Sequence, residues 1–162
     1  MSDISKIANH PNVLLVEAAL RAAGIEPRVR VLPETAPTAA AAAGQIGCEV
    51  GAIANSLIFD GDGAPLLVLT SGAHRVDTAK LARTAGLAGL KRATPEFVRA
   101  HTGQTIGGVA PLGHPAPVRT LIDRALAAFP EIWAAAGLSH TVFPCTFEQL
   151  TSATKAQVVT VN

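Results

Sequence analysis

The stretch IANSLIFDGDGAPLLVLT, residues 53–70, decides the fold because it has the pattern of two strands joined by a turn. Residues 53–59 and 65–70 are mostly apolar and have the length typical of strands. The residues between them, Asp60-Gly61-Asp62-Gly63, predict a turn, because glycine adopts a positive φ at low steric cost. A β-hairpin is therefore the first element that we assign.

Short helices and further strands flank this hairpin. The predicted helices span residues 11–24, 39–43, 77–83, 94–101 and 146–150. The predicted strands span residues 27–32, 118–122, 131–135, 141–143 and 158–161, and helical turns are expected at 123–128. Asn9 and Thr38 are the expected N-caps of the first two helices, and Gly44 is expected to end the second. Because strands and helices do not alternate regularly, we predict an α+β fold with a mixed, mostly antiparallel sheet.

Length, charge and hydropathy exclude several classes of protein. A chain of 162 residues predicts a single domain over residues 1–162. A net charge of +1 argues against extensive duplex contacts, so DNA is not an expected partner. The most apolar run, residues 66–69, is far shorter than the roughly 20 residues of a membrane helix, and residues 1–6 lack a signal-peptide pattern. Two cysteines without metal-ligand spacing predict reduced thiols and a cytoplasmic protein.

Common catalytic and nucleotide-binding motifs are missing from the sequence. It contains no phosphate loop GxxxxGK[ST], no strand-linked GxGxxG, no HExxH and no GxSxG. The five histidines also lie far apart in the sequence. We therefore expect neither a metal nor another cofactor.

The segment 103–115 is the strongest candidate for a functional loop. It has four glycines and two prolines in thirteen residues, which excludes a regular element. Successive glycines let backbone N–H groups approach a carbonyl oxygen or a phosphate, as in an oxyanion site. The alternative is a plain connecting loop, because glycine and proline are common in all loops.

Five polar residues elsewhere have two interpretations each. Asn55 and Ser56 interrupt the apolar strand 53–59 and either face solvent or donate to a ligand. His140 precedes a strand and is either a solvated or core-edge histidine or a catalytic one. Arg75 and Lys80 follow the hairpin and are either surface charges or contacts for a phosphate. The residues alone leave these alternatives open.

At the glycine-rich loop the sequence resembles the YbaK/ProX family of aminoacyl-tRNA deacylases, also called the prolyl-tRNA synthetase-associated domain. Matching stretches lie at 53–59, 67–69 and 75–81, and the most specific match is 107–114. The resemblance implies a mixed, partly barrel-like sheet flanked by short helices. It also implies hydrolysis of the ester between a wrong amino acid and the tRNA 3′ end, without a metal and with help from a hydroxyl of the terminal ribose.

The same resemblance implies roles for individual residues. The glycine loop would hold the substrate carbonyl through its backbone, a proline would fix the loop, and two later residues would form the opposite wall of the pocket. The backbone ligands would be Gly107 and Gly108, with neighbouring Val109 and Ala110. The proline would be Pro111, and the opposite wall would consist of Gly137 and His140. On this basis Gly108→Ala is expected to lower turnover while leaving the fold intact.

Asn55 is a departure from the family pattern, in which the aligned residue is usually a lysine. Asparagine keeps a hydrogen-bond donor but loses the positive charge. Three interpretations follow: altered substrate handling, a weaker enzyme, or a binding protein that has lost catalysis. Lys80 is the residue that we consider first as a replacement for the missing charge.

The resemblance predicts a free-standing trans-editing hydrolase that cleaves a mischarged aminoacyl-tRNA. The expected substrate is tRNA-Pro carrying a small wrong amino acid, recognised at its acceptor end, and prolyl-tRNA synthetase is a candidate partner. The alternative is a catalytically weak module that binds tRNA or the synthetase. Few phosphate contacts are needed to bind only the acceptor end, which is compatible with the low net charge.

Overall fold

Six α-helices and eight strands form the regular structure of residues 3–162, which are the residues that the computed structural model describes. The helices are α1 (Asp3–Ala8), α2 (Pro11–Ala22), α3 (Ala39–Ile46), α4 (Thr78–Ala85), α5 (Pro95–Thr102) and α6 (Phe147–Thr154). The strands are β1 (Arg30–Val31), β2 (Ile53–Gly61), β3 (Ala64–Ser71), β4 (Leu90–Arg92), β5 (Arg119–Asp123), β6 (Ile132–Ala135), β7 (Thr141–Cys145) and β8 (Gln157–Val159). Short 3-10 turns cover Val50–Ala52 and Arg124–Ala128.

All eight strands belong to one mixed sheet. Its order is β1-β7-β6-β2-β3-β5-β8, and β4 pairs with β2 outside this path. The antiparallel pairs are β1 with β7, β6 with β7, β2 with β3 and β2 with β4. The parallel pairs are β2 with β6, β3 with β5 and β5 with β8. The prediction of an α+β fold with a mixed, mostly antiparallel sheet is therefore confirmed.

The hairpin predicted at residues 53–70 is formed by β2 and β3. Its turn consists of Asp62 and Gly63, with φ values of 54° and 92°. A two-residue turn with two positive φ values has the twist that joins antiparallel strands. The Asp60 carboxylate accepts a hydrogen bond of 2.8 Å from the N–H of Gly63, which holds the turn closed.

Helices cover both faces of the sheet because the central strand β3 is apolar on both sides. Leu67 and Leu69 pack in a core cluster with α2 and α6, whereas Leu66 and Val68 pack with α4. A third cluster joins the alanines of α3 to the start of β2. Alternate residues of a strand point to opposite faces, so a continuous apolar run such as β3 is buried on both.

The ends of two helices differ from the prediction. Gly44 does not end α3; the helix continues to Ile46, and Gly47 ends it with a φ of 87°. The N-cap of α2 is His10 instead of Asn9, because the His10 Nδ1 atom accepts a hydrogen bond from the N–H of Asn12. In both cases the capping residue lies within three positions of the expected one.

Two strands differ in length from the prediction, and three elements were not predicted: helix α1, strand β4 and the 3-10 turn Val50–Ala52. The strand predicted at 27–32 contracts to Arg30–Val31, and the last strand ends at Val159 instead of 161. Helix α1 and strand β4 have too few periodic residues for a local signal. No helix among residues 3–162 is long and apolar enough to cross a membrane.

Candidate functional site

One edge of strand β2 has a gap between its two partners, and the candidate site lies in that gap. Strand β6 pairs with β2 only at Ile53 and Ala54. Strand β4 pairs with the same edge only from Phe59 to Gly61. Residues 55–58 therefore have β3 on one side, and no strand within residues 3–162 pairs with them on the other.

A small cavity lies at the β6 end of this gap, and we call it the first cavity. Its volume is about 100 Å³, and its walls come from the start of α3, from β2, from the glycine loop and from β6 and β7. The residues of these walls are Ala36 to Ala39, Ala42, Ile53 to Ser56, Gly107, Val109, Trp133 to Ala135, Ser139, Thr141 and Val142. An apolar cavity of about 150 Å³ holds a molecule of benzene size, so the first cavity has room for a small side chain.

Four residues that the sequence analysis singled out line the first cavity: Asn55, Ser56, Gly107 and Val109. Asn55 is exposed at its mouth. The Ser56 Oγ atom is buried and has no hydrogen-bond partner within residues 3–162. A buried hydroxyl without a partner is unfavourable, so Ser56 is suited to bond a ligand there.

The glycine loop keeps two main-chain donors free. Its N–H groups at Gly108 and Ala110 are occupied, because Gly108 donates to the Thr105 carbonyl at 3.0 Å and Ala110 donates to the Gln104 side chain at 2.7 Å. The N–H groups of Gly107 and Val109 donate to no other group of the described chain. Since both residues line the first cavity, the loop can offer two donors to a carbonyl oxygen that gains negative charge.

Two of the predicted glycines, Gly108 and Gly137, do not line the first cavity, and each packs closely against another segment of the chain. A Cβ atom on Gly108 would lie 2.7 Å from the Leu138 carbonyl carbon and 2.9 Å from the Ser139 nitrogen. Gly137, with a φ of 109°, packs less tightly, because a Cβ atom there would lie 3.0 Å from Asn12 Cβ. The Asn12 side-chain amide donates to the Gly137 carbonyl at 3.2 Å. The added methyl group of Gly108→Ala would collide with backbone, so this substitution lowers stability as well as changing the loop.

Three other predicted residues lie outside the first cavity. Ala110 is fully buried in the largest core cluster, and Pro111 lines a separate cavity behind the glycine loop. His140 contributes its carbonyl, which accepts a hydrogen bond of 2.7 Å from the N–H of Leu32. The His140 Nδ1 atom is buried without a partner among the described residues, but His140 is not part of the cavity wall.

The two predicted cations are also away from the cavity. Arg75 is exposed in the segment that follows β3, and neither it nor Lys80 lines the first cavity. The Lys80 ammonium donates to the Asn162 carbonyl at 2.7 Å, so Lys80 does not replace the charge that is missing beside Asn55. No lysine or arginine of residues 3–162 lines the first cavity, and the adjoining cavity contains Arg92.

Gln104 and His114 hold the glycine loop in place, and the sequence analysis did not single out either of them. Gln104 is 2% exposed and accepts from the N–H of Ala110, whereas His114 Nε2 bonds to the carbonyl of the same residue at 2.8 Å. Burial lowers the pKa of His114, although the bond to the carbonyl opposes that shift. The neutral imidazole therefore donates its Nε2 proton to Ala110. A buried glutamine within a glycine-rich loop is the signal that could have indicated this role.

A buried carboxylate outside the cavity forms a structural cluster. Asp123 is 2% exposed and accepts from the N–H groups of Ser71 and Ala125, each at 2.9 Å. It also bonds to His74 Nδ1 at 2.9 Å. The Ser71 hydroxyl donates to the Gly51 carbonyl and not to this histidine, so the set is not a nucleophilic triad. Within residues 3–162, no three His, Cys, Asp or Glu side chains are grouped to hold a metal.

Comparison with known proteins identifies the family of this chain. The sequence model of the aminoacyl-tRNA editing domain matches residues 33–153, which include every wall of the first cavity. The chain belongs to the aminoacyl-tRNA editing domain family. The resemblance to YbaK/ProX deacylases that the sequence indicated is confirmed.

Sequence relatives of this editing domain include much longer proteins. It is 33% identical over 131 residues to a proline–tRNA ligase of Xanthomonas oryzae pv. oryzae, which covers 79% of this chain and 23% of the ligase. The chain thus spans less than a quarter of the length of that relative. It is also 31% identical over 110 residues to YwhH of Bacillus subtilis, covering 67% of this chain and 69% of YwhH.

Solved structures confirm the fold of the editing domain. One is the crystal structure of a candidate trans-editing enzyme for prolyl tRNA synthetase, with 40% identity and a TM-score of 0.88 over 94% of this chain and 97% of that chain. Another is a hypothetical protein with 26% identity and a TM-score of 0.83, over 91% of this chain and 98% of that chain.

Proposed function

We propose that this editing domain is an aminoacyl-tRNA deacylase that acts in trans on tRNA-Pro carrying a small wrong amino acid. The observation that carries the proposal is the pair of free N–H groups at Gly107 and Val109 on the wall of a small cavity. Membership of the editing family supplies the substrate class. The solved structure of a candidate trans-editing enzyme for prolyl tRNA synthetase matches 94% of this chain at 40% identity, which supports action in trans.

The glycine loop would stabilise the oxyanion formed during ester hydrolysis. Water adds to the ester carbon, the carbonyl oxygen becomes negative, and the bond from carbon to the ribose oxygen then breaks as that oxygen takes up a proton. The free hydroxyl of the terminal ribose would assist these proton transfers, as the family resemblance implies. Backbone donors aimed at such an oxygen are effective because they need no reorganisation, and one such donor is worth about 10²–10³ in rate.

The first cavity would select small side chains. A synthetase separates amino acids that differ by one methylene by only about 1–3 kcal/mol, so a second site of limited size adds the missing discrimination. The alanines of α3 and β6 and the methyl groups of Val142 form an apolar wall, and Ser56 adds a single polar group. Alanine, cysteine, serine and threonine are therefore the candidate side chains.

The lack of a cation in the first cavity favours a second candidate function. Asn55 offers an amide where the family usually has lysine, and no lysine or arginine of residues 3–162 lines that wall. A module without catalysis would still bind the acceptor end of tRNA or a synthetase. Oxyanion stabilisation by backbone donors does not require a charge, so the deacylase remains the first proposal.

Deacylation of a panel of charged tRNAs tests the proposal. The full chain should hydrolyse tRNA-Pro charged with alanine, cysteine or serine well above the spontaneous rate, and should spare prolyl-tRNA. A larger residue at Ala36, as in Ala36→Leu, should narrow the cavity and reduce hydrolysis. The matched control is Ala40→Leu, because Ala40 is exposed and does not line the cavity.

Asn55→Lys separates the two candidate functions. If wild-type protein binds tRNA but hydrolyses none of the panel, and Asn55→Lys restores hydrolysis, the chain is a binding module that lost its charge. If wild-type protein hydrolyses the small aminoacyl esters, the deacylase proposal stands and the binding module is excluded.

A further inference from the structure

Helix α2 is apolar on two opposite faces, and residues 3–162 cover only one of them. The inward face is fully buried and consists of Val13, Val16 and Leu20. The outward face, which we call the outer α2 face, consists of the exposed residues Pro11, Leu14, Leu15, Ala18 and Ala22. A surface helix normally presents polar side chains outward, whereas a helix that is apolar all round is buried. The outer α2 face is therefore suited to pack against a partner.

Two large side chains give the outer α2 face its apolar area. Leu14 is 46% exposed and Leu15 is 58% exposed, and they are two of the four large apolar side chains that are exposed within residues 3–162. Because an α-helix has 3.6 residues per turn, these leucines lie on either side of Ala18. Ala18 and Ala22 are small, so a second helix can approach closely between the leucines.

Two opposite charges border the outer α2 face on one side. Glu17 and Arg21 are four residues apart and follow each other along the flank next to Leu14. Neither of them belongs to an ion pair within residues 3–162. The opposite flank carries Ala19, which is uncharged. The outer α2 face thus has one charged border and one neutral border.

The order of these charges favours an antiparallel copy of the same helix as the partner. When two identical helices pack antiparallel about a two-fold axis, the same flank of each helix meets its counterpart. Glu17 then lies opposite Arg21 of the partner subunit, and the axis repeats this pair. In a parallel arrangement the charged flank would instead meet the neutral flank, and neither charge would be paired.

The apolar residues fit the same arrangement. A two-fold axis halfway between Glu17 and Arg21 places Leu14 and Leu15 of each helix beside Ala22 of the partner subunit. Large side chains then face small ones, which is the pattern that fills an interface without voids. The face is less suited to tRNA, because Arg21 is its one bordering cation and phosphate binding depends on several.

We propose that the outer α2 face is the interface of a homodimer in which two copies of α2 pack antiparallel about a two-fold axis. Leucines and alanines form the centre of this interface, and the two ion pairs between Glu17 and Arg21 of the partner subunit form its border. One helix per subunit makes a small interface, so we expect a dissociation constant of about 10 μM. No residue of the outer α2 face lines the first cavity, so the dimer leaves the candidate site open and does not depend on the proposed function.

Sedimentation equilibrium of the full chain tests the dimer. At about 100 μM the average mass should approach twice the 16.6 kDa of one chain. Leu14→Glu should raise the dissociation constant at least about thirtyfold, because it places an unpaired charge in the centre of the interface. The matched control is Ile106→Glu, because Ile106 is also an exposed aliphatic residue but lies on the glycine loop. Circular dichroism checks that both variants are folded.

Charge reversal tests the antiparallel arrangement itself. Glu17→Arg and Arg21→Glu should each raise the dissociation constant of the homodimer about tenfold, because like charges then face each other. An equimolar mixture of these two variants should dimerise as well as wild type, since each supplies the charges that the other needs. The matched control is Glu96→Arg, which reverses an exposed charge on α5 and should leave dimerisation unchanged.

Three results would overturn the proposal. The first is a wild-type chain that stays monomeric up to about 1 mM. The second is an equal effect of Leu14→Glu and Ile106→Glu, or a mixture of the two charge variants that associates no better than either alone. The third is a monomeric chain whose binding to prolyl-tRNA synthetase is abolished by Leu14→Glu, because the outer α2 face would then belong to the synthetase and not to a second copy.

Discussion

Replacement of Gln104 by alanine should destabilise the protein by about 2–4 kcal/mol. Gln104 is 2% exposed, and its Oε1 atom accepts a hydrogen bond of 2.7 Å from the N–H of Ala110, which is itself fully buried. Leaving a buried N–H without an acceptor costs about 1–3 kcal/mol. The lost burial of the side-chain methylene adds about 0.8 kcal/mol. Gln104→Met keeps most of the volume, so it should show only the hydrogen-bond part of the loss, about 1–3 kcal/mol.

Urea unfolding followed by circular dichroism measures these losses. With a slope of about 2 kcal/mol per molar urea, Gln104→Ala should lower the midpoint by about 1–2 M. Gln157→Ala is the control, because Gln157 is exposed on β8, and its replacement should change stability by less than about 0.5 kcal/mol. If the free energies of unfolding of both Gln104 variants lie within about 0.5 kcal/mol of the wild-type value, the loop does not depend on this hydrogen bond and the reasoning is refuted.

Three further predictions concern local sterics and titration. Gly108→Ala should lower the free energy of unfolding by about 1–3 kcal/mol, because its methyl group meets backbone. Gly44→Ala should raise the free energy of unfolding by about 0.5–1 kcal/mol, because Gly44 has an open helical position. Thermal melting compares the two variants. The pKa of His114 in the folded protein lies below its unfolded value, so the stability that His114 contributes is present above about pH 6.5 and is lost as the pH falls. His114→Gln should reduce this acid sensitivity, which urea unfolding at a series of pH values measures. Burial raises the pKa of Cys145 to about 12. At about pH 8 a thiol reagent should therefore modify the half-buried Cys48 in the folded protein, and Cys145 only after unfolding. Equal modification rates of the two cysteines in the folded protein would contradict this.

Local sequence signals were sufficient to predict those elements whose backbone conformation depends on a few neighbouring residues. The predicted cap Thr38, and the residues Asp77, Thr94 and Thr146 that begin three predicted helices, each accept a hydrogen bond from the N–H three residues later. Each of these helix starts could therefore be located from one side chain. The hairpin turn followed in the same way from the glycine that takes a positive φ. Both effects act over three or four residues, which is why periodicity and capping rules find them.

The composition of the candidate site was only partly predictable. The glycine loop and the polar pair Asn55 and Ser56 were found because their residue types are unusual in their surroundings, and they do meet at the first cavity. Lys80 is the residue considered first as a replacement for the charge missing at Asn55, but its ammonium is bonded to the Asn162 carbonyl. The direction of a long side chain depends on partners that lie far away in the sequence, and no local pattern reports them.

By itself the sequence determined most of the helices and strands, the hairpin and the glycine-rich loop, because each depends on the conformational preferences of neighbouring residues. Only the tertiary structure decided that β6 and β4 share one edge of β2 and leave residues 55–58 open between them. It also decided that Gly108 is a packing residue and that Gln104 and Arg92 belong to the surroundings of the site. The open edge of β2 and the Gly108 contact arise where segments about 30 to 80 residues apart meet, so their physical cause is packing between distant segments, which local preference does not specify.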